Sequence, residues 1–469
     1  MKITRRYFGQ WGVRTAVAAV LTPGSLWAQE KDVFAACGLK PIGKLKTRPS
    51  AAIKASPLSV GYETLDRQHF DPAKTYEHAA QLGVKWARVQ TGWARCEKVK
   101  GVYEFGWIDE VVDSLLKIGI QPWFNLGYGN PRYTPKADET AVGWVPVFDE
   151  EAMKAWLAYT GKLAEHFQGR VTHWEIWNEP NHKGFWRPGE PDAASYAKLV
   201  AQTAPVIRER VPGAVIIGCG FSGIPHDLFQ TCLENGLAKH VDKVSYHPYR
   251  SIPEQGYDKD VRKLRQILKE HDAGHVGLWQ GENGCPSQKG SSGALSQQEW
   301  TEERQAKWLL RRILSDLRLE IELTSYFLIV DLVGYRGRTN WKGLLRGADY
   351  TPKPAYFAYQ NLCVLFDAET SRYKMTPFKV EGTGGVKTAA AGFKRHGKPL
   401  VAYWAVYNLM SDMRARQVKI VIGENDKAQM PKPVLLDPLT GQVYKISTFE
   451  TLPLTDYPLI IAEEGLLTS

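Results

Sequence analysis

Val171-Thr172-His173-Trp174-Glu175-Ile176-Trp177-Asn178-Glu179-Pro180 begins as a buried strand and ends on an acid held between Asn and Pro. β-Branched and aromatic residues through Trp177 suit an extended segment packed inside a protein. Pro180 has no N–H for a ladder, so the strand should stop there. Side chains alternate along a strand, which predicts that Glu175, Trp177 and Glu179 share one side. Glu179 is thereby expected at a rim, where an apolar strand opens into a pocket. Glu175, lying deeper, is expected to pair with an interior cation.

Outward from this stretch the chain repeats strand then helix. Strands fit Pro57–Val60, Trp86–Gln90, Gln121–Leu126, Val215–Cys219, Lys243–Tyr246, Gly277–Gln280 and Thr324–Ile329. Helical spacing fits Trp107–Ile118, Tyr196–Arg210, Val261–His271 and Gln297–Leu317, among others. Eight such units in about 300 residues match the size of a (β/α)₈ barrel. A doubly wound open sheet would alternate similarly, but it would normally carry a Gly-rich phosphate turn early on, and none is present. After about Asp367 the helical period gives way to short alternating strands and turns such as Asp437-Pro438-Leu439-Thr440-Gly441. The expected fold is therefore α/β: a (β/α)₈ TIM barrel with a smaller C-terminal antiparallel β-sandwich domain. The expected division is a signal peptide at 1–28, an N-terminal extension at 29–56, the barrel at 57–366 and the sandwich at 367–469.

Thr4-Arg5-Arg6-Tyr7-Phe8 and the weakly apolar stretch behind it resemble a twin-arginine export signal, with Ala28 as a plausible last residue before cleavage. Export to the periplasm or the extracellular space is expected. No later apolar run is long enough for a transmembrane anchor. The net charge of +10 loses Lys2, Arg5, Arg6 and Arg14 with that signal, leaving +6. The remaining bases are interspersed with acids, which gives no sign of a nucleic-acid surface. Six scattered Cys include no Cys-x-x-Cys and no zinc spacing. A twin-arginine substrate folds before export, so at most one disulfide is expected and none is assigned.

A second strand ends on an acid in Leu278-Trp279-Gln280-Gly281-Glu282-Asn283-Gly284. Glu282 lies 103 positions after Glu179. At about 38 residues per barrel unit, that is close to three units. The two acids should thus end the fourth and seventh barrel strands and face each other across the carboxyl-terminal mouth.

Trp177-Asn178-Glu179-Pro180-Asn181 with the correctly spaced Glu282 resembles the retaining glycoside hydrolases of the large (β/α)₈-barrel clan, clan A. His247-Pro248-Tyr249 after the sixth strand and Arg88 at the end of the second strand fit the same pattern. Tyr350-Thr351-Pro352-Lys353-Pro354-Ala355-Tyr356 is similar to the end of the barrel in family 39, whose members also carry a β-sandwich. The resemblance implies that Glu179 is the general acid/base and Glu282 the nucleophile, working through a covalent glycosyl-enzyme. It implies that Arg88 and Tyr249 favour ionised Glu282, that Asn178 bonds the sugar 2-hydroxyl, and that His247 lines the substrate site. Clan members often place a Trp at the end of the eighth strand. Here that segment, Thr324 to Asp331, has none, and Trp341 in the following loop is the ring expected in its place. Trp93, Trp123, Tyr128, Trp144, Trp186 and Trp279 are further rings near expected strand ends that could stack on sugars.

Two other classes are compatible with the barrel. A carbohydrate-binding protein could have kept the fold without turnover, although both acids are present. A metal hydrolase would be expected to show His-x-His or His-Glu-x-x-His, and neither occurs. No cofactor and no metal are implied; the expected partner is a carbohydrate substrate.

Overall fold

The structure, a computed structural model, describes residues 33–414 and 416–467; the expected signal peptide at 1–28 lies outside the described residues. Eight strands close in chain order into a parallel barrel. They are β2 (Leu58–Tyr62), β3 (Trp86–Gln90), β4 (Gln121–Leu126), β5 (His173–Ile176), β6 (Val215–Ser222), β7 (Lys243–His247), β8 (Gly277–Asn283) and β9 (Leu323–Tyr326). β9 returns to β2 through the register Leu58 to Thr324, which completes the ring. The strand before β2, β1 (Lys40–Lys44), lies outside the barrel.

One main helix follows each barrel strand: α1 (Tyr76–Leu82), α2 (Gly106–Lys117), α3 (Glu150–His166), α4 (Ala193–Arg210), α5 (His226–Glu234), α6 (Tyr257–Glu270), α7 (Glu302–Arg318) and α8 (Pro354–Leu365). Their starts are written in the sequence. Asp149, Asp192 and Thr301 accept hydrogen bonds from the first free N–H groups of α3, α4 and α7. Thr301 sets the start of α7 at Glu302, later than the expected Gln297. On α6, Tyr257, Val261, Leu264, Ile267 and Leu268 are buried at helical spacing and face the barrel.

Two strand ends differ from expectation in ways that bear on the site. The first barrel strand runs on to Tyr62, so Glu63 is the first residue past it. The fourth ends at Ile176, because Trp177 and Glu179 adopt left-handed backbone with φ of 71° and 47°. Alternation therefore fails beyond Ile176. Trp177 turns outward against Trp156 of α3 and donates its indole N–H to Phe185 O at 2.7 Å. Asn178 and Glu179 reach the pocket by this turn and not by strand parity.

The barrel interior is plugged by Trp123, Ile217, Trp279 and Leu323. Trp123 and Trp279 meet edge to face at 5.3 Å. These two rings are core, as are Trp93, Trp186 and Tyr128, so none of the five is a sugar platform. Of the rings named from the sequence, only Trp144 and Trp341 remain half-buried.

Beyond α8 the chain forms two antiparallel sheets. One contains β10 (Thr370–Arg372), β12 (Thr388–Arg395), β13 (Lys398–Ala405), β15 (Pro433–Asp437), β16 (Gln442–Lys445) and β18 (Leu459–Glu463). The other contains β11 (Phe378–Glu381), β14 (Arg416–Ile422) and β17 (Leu452–Leu454). β1 pairs antiparallel with β16, so the segment before the barrel supplies the seventh strand of the larger sheet. Arg311 of α7 holds Glu254 with bonds of 2.9 and 2.6 Å, and Trp404 of β13 donates to the same carboxylate at 2.6 Å. Buried and fully partnered, this cluster fixes the sandwich against the barrel. No helix among the described residues is long and apolar enough to cross a membrane. All six Cys are unpaired.

Candidate active site

Glu179 is placed by its own backbone. Its N–H donates to Gly220 O at 2.9 Å, and Asn181 bridges to Ser222 through both amide atoms, at 2.8 and 2.9 Å. Gly220 has φ of 54° at an irregularity in β6, and a side chain there would press on Glu175 and the Trp177 carbonyl. Glu282 depends on small neighbours. A Cβ on Gly281 would lie 2.1 Å from Ser245 Oγ, and one on Gly284 would lie 2.1 Å from Phe327 O. Only glycine lets β8 approach β7 and the end of β9 this closely.

These supports bring the two acids together. Carboxylate oxygens of Glu179 and Glu282 and a ring nitrogen of His247 all lie within 4.8 Å of one another. Each acid is 12% exposed, enough to meet a ligand from the mouth of the barrel. Such a trio could be read as a metal-ligand set. However, Arg88 already places its positive charge 2.7 Å from Glu282, which disfavours a second cation.

Arg88 is fully buried beneath the pair. Its Nε and Nη2 donate to Glu175 Oε2 at 2.9 and 2.5 Å, Nη2 also to Asn178 Oδ1 at 2.8 Å, and Nη1 to Glu282 Oε2 at 2.7 Å. Glu175 is the interior partner of a cation, with Asn125 Nδ2 adding a bond of 2.9 Å. Tyr249 donates its hydroxyl to Glu282 Oε1 at 2.7 Å. His247 Nδ1 is 3.1 Å from Glu179 Oε1 and 3.9 Å from Glu282 Oε2. Asn178 has its oxygen engaged by Arg88, and no protein group described here accepts from its amide nitrogen, which is free for a ligand.

The electrostatics of Glu282 follow from this list. Burial alone would push its carboxyl up. The charges of His247 and Arg88, with hydrogen bonds from Tyr249 and Arg88, outweigh burial and hold it below the ordinary carboxylate range. Burial and the adjacent Glu282 charge push the Tyr249 phenol well above its usual value, so it stays a donor.

Trp341 sits in the loop after β9. Its N–H donates to Ser291 Oγ at 3.1 Å and its carbonyl accepts from Ser287 N–H at 2.8 Å, so this loop is tied to the one following Glu282. Two charged residues of the site were not anticipated. Lys342, next to Trp341, is 1% exposed, and burial pushes its ammonium down to about 8 while Cys285 and Glu282 oppose that shift. Glu63, 1% exposed, brings Oε1 to 3.4 Å from Arg88 Nη1. An acid directly after an apolar strand was the available signal for Glu63, and ending that strand at Val60 concealed it.

Known proteins resemble parts of this chain. Residues 69–274 match the sequence profile described as Glycosyl hydrolases family 39. A β-xylosidase of Geobacillus stearothermophilus is 30% identical over 167 residues, covering 33% of this chain and 32% of that protein. The match thus spans about a third of that relative's length. A family 39 glycoside hydrolase from Bacteroides cellulosilyticus WH2 superposes with a TM-score of 0.68 at 21% identity, over 89% of this chain and 81% of that one. A monomeric β-xylosidase from Caulobacter crescentus CB15 superposes with a TM-score of 0.55 at 17% identity, over 89% and 97%. The two structures share the fold. With the profile match over 69–274 and the closed barrel, they make this chain similar to the family 39 glycoside hydrolases.

Proposed function

We propose that the protein is a retaining glycosidase that cleaves a carbohydrate by double displacement. The observation that carries this reading is the placement of Glu179 and Glu282 oxygens within 4.8 Å, with Glu282 in surroundings that favour its charged form. Retaining enzymes hold their two carboxyls roughly 5–5.5 Å apart, whereas inverting ones leave room for a water between them.

In the first step Glu179 gives a proton to the leaving oxygen while Glu282 attacks the anomeric carbon and becomes an ester. In the second, Glu179 takes a proton from water, and that water displaces Glu282. Arg88 and Tyr249 aim the nucleophile and hold its charge before attack. The free amide of Asn178 suits the sugar 2-hydroxyl, a bond expected to strengthen as positive charge builds on the ring. Trp341 suits the wall or floor of the same sugar site. Because β-xylosidases are among the named relatives, a β-xyloside is the first substrate to try. Export through the twin-arginine signal would place the activity in the periplasm or outside the cell.

The test is hydrolysis of an aryl-glycoside panel, with β-xylosides included, followed by proton NMR of the first sugar released. Hydrolysis with retained anomeric configuration is expected. Inversion, or ligand binding without turnover across the panel, would overturn the reading.

A further inference from the structure

One guanidinium in this site faces three carboxylates. Glu175 takes Nε and Nη2 of Arg88, while Glu282 and Glu63 both look to Nη1, at 2.7 and 3.4 Å. Glu63 is fully inside the barrel. Its carboxyl fills the space where a Gly61 side chain would point: an ideal Cβ there would lie 1.9 Å from Glu63 Oε2. Gly61 is in register with Arg88, so this space belongs to the interior layer of the guanidinium. Glu63 Oε2 is buried and has no hydrogen-bond partner.

Arg88 alone cannot neutralise three buried charges, and His247, 3.9 Å from Glu282 Oε2, adds its field on the Glu282 side. Glu282 holds the shorter bond to Nη1 and a second from Tyr249, whereas Glu63 has one long contact. We propose that Glu63 is a positioning residue that keeps its proton while Glu282 is ionised, leaving Arg88 Nη1 committed to Glu282. The two acids are linked across Arg88: removing the charge on Glu282 frees the guanidinium for Glu63, which can then ionise. Burial pushes the Glu63 carboxyl up to about 8, with Arg88 opposing and Glu282 reinforcing the rise. The charged or titratable groups around it are Arg88, Glu175 and Glu282, with Tyr249 beyond.

This inference deepens the hydrolase reading, but it can be tested without turnover. Between about pH 4.5 and pH 8 a protonated Glu63 makes the folded protein bind a proton that the unfolded chain lacks, so wild-type stability falls as pH rises. Glu63→Gln removes that dependence. Thermal unfolding of wild type, Glu63→Gln, Glu282→Gln and the double variant at pH 5 and pH 9 separates the terms. The Tm advantage of Glu63→Gln over its parent should grow by about 3 °C or more from pH 5 to pH 9. In the Glu282→Gln background that growth should fall by half or more. An advantage that does not change with pH, or one that changes equally in both backgrounds, would overturn the proposal. Glu63→Met, also without a proton to lose, is the second variant. Failure of both to fold would also overturn it, since a neutral side chain is what the site is proposed to hold. Lack of hydrolysis by wild type would count against the hydrolase reading and leave this test intact.

Discussion

The ends of the fourth and seventh barrel strands both deliver a carboxylate to the mouth, and the protein treats the two differently. Glu282 is gripped: Arg88 Nη1 takes one oxygen and the Tyr249 hydroxyl the other, each at 2.7 Å. Among the described residues Glu179 has one side-chain neighbour within hydrogen-bond reach, His247 Nδ1 at 3.1 Å. Its control lies in the backbone, through the left-handed turn and the bond to Gly220 O. A nucleophile needs a fixed direction and a stable charge, which donors supply. A group that gives and then retakes a proton is better left with few donors, since each one favours the charged form. The contrast fits the proposed roles, Glu282 as nucleophile and Glu179 as acid/base.

The strongest way to break that contrast is to delete the gripped acid. Glu282→Ala should lower kcat/KM by roughly 10⁴-fold or more, because no other group can form the glycosyl bond. Ligand affinity in the inactive variant, measured calorimetrically, should survive. A loss under tenfold would end the assignment. Glu179→Gln should cost about 10²- to 10⁴-fold on substrates with poor leaving groups. With an activated aryl leaving group, which needs little protonation, the loss at the first step should be far smaller. An equal loss on both substrate types would mean that Glu179 does not deliver the proton.

Much of this arrangement was legible in the chain, for reasons that can be named. The barrel was readable because its alternation comes from elements whose hydrophobic period is unbroken, such as β3 and β4, which match expectation at both ends. The acids were readable because each closes an apolar strand and their spacing matches three units. The local geometry was not. Strand parity put Trp177 on the axis beside Glu179, but positive φ at both residues sends the ring out to α3. No periodic rule foresees a turn that tertiary bonds to Gly220 and Leu126 hold in place. Five of the seven rings offered as possible sugar platforms fill the core, because a Trp at a strand end and a Trp in a barrel plug share the same local sequence. Glu63 was lost through a two-residue error in one strand end.

Tyr249→Phe sharpens the comparison at its next level. It removes one of the two donors on Glu282 and leaves Glu179 without a direct change. A hydrogen bond to a charged group contributes about 1.5–3 kcal/mol, so kcat/KM should fall roughly 10- to 100-fold. The pH profile carries the sign. Activity requires ionised Glu282, whose proton affinity Tyr249 lowers, so the acidic limb of kcat/KM should move to higher pH in the variant. If the limb stays in place while the rate falls, Tyr249 would be binding sugar and not tuning the nucleophile.

The smallest effect is expected from Lys342, the other buried cation on the Glu282 side. Its ammonium donates to Ser292 O at 3.1 Å and Asn340 Oδ1 at 3.3 Å, and no carboxylate described here lies within ion-pair distance. It acts on Glu282 through its field and not by contact, so Lys342→Met should shift the acidic limb upward by only a few tenths of a pH unit. Stability gives the clearer reading. Burial holds the ammonium at about 8, below its ordinary value of 10.5, so the unfolded chain binds this proton more tightly than the folded one. Wild-type stability therefore carries a penalty at neutral pH that fades as pH rises from about 8 toward 10.5. Lys342→Met should raise Tm at pH 7 and lose most of that advantage by pH 10. An advantage that persisted at pH 10 would mean that packing, and not charge, separates Met from Lys at this position, and the field of Lys342 would then have no part in the asymmetry between the two acids.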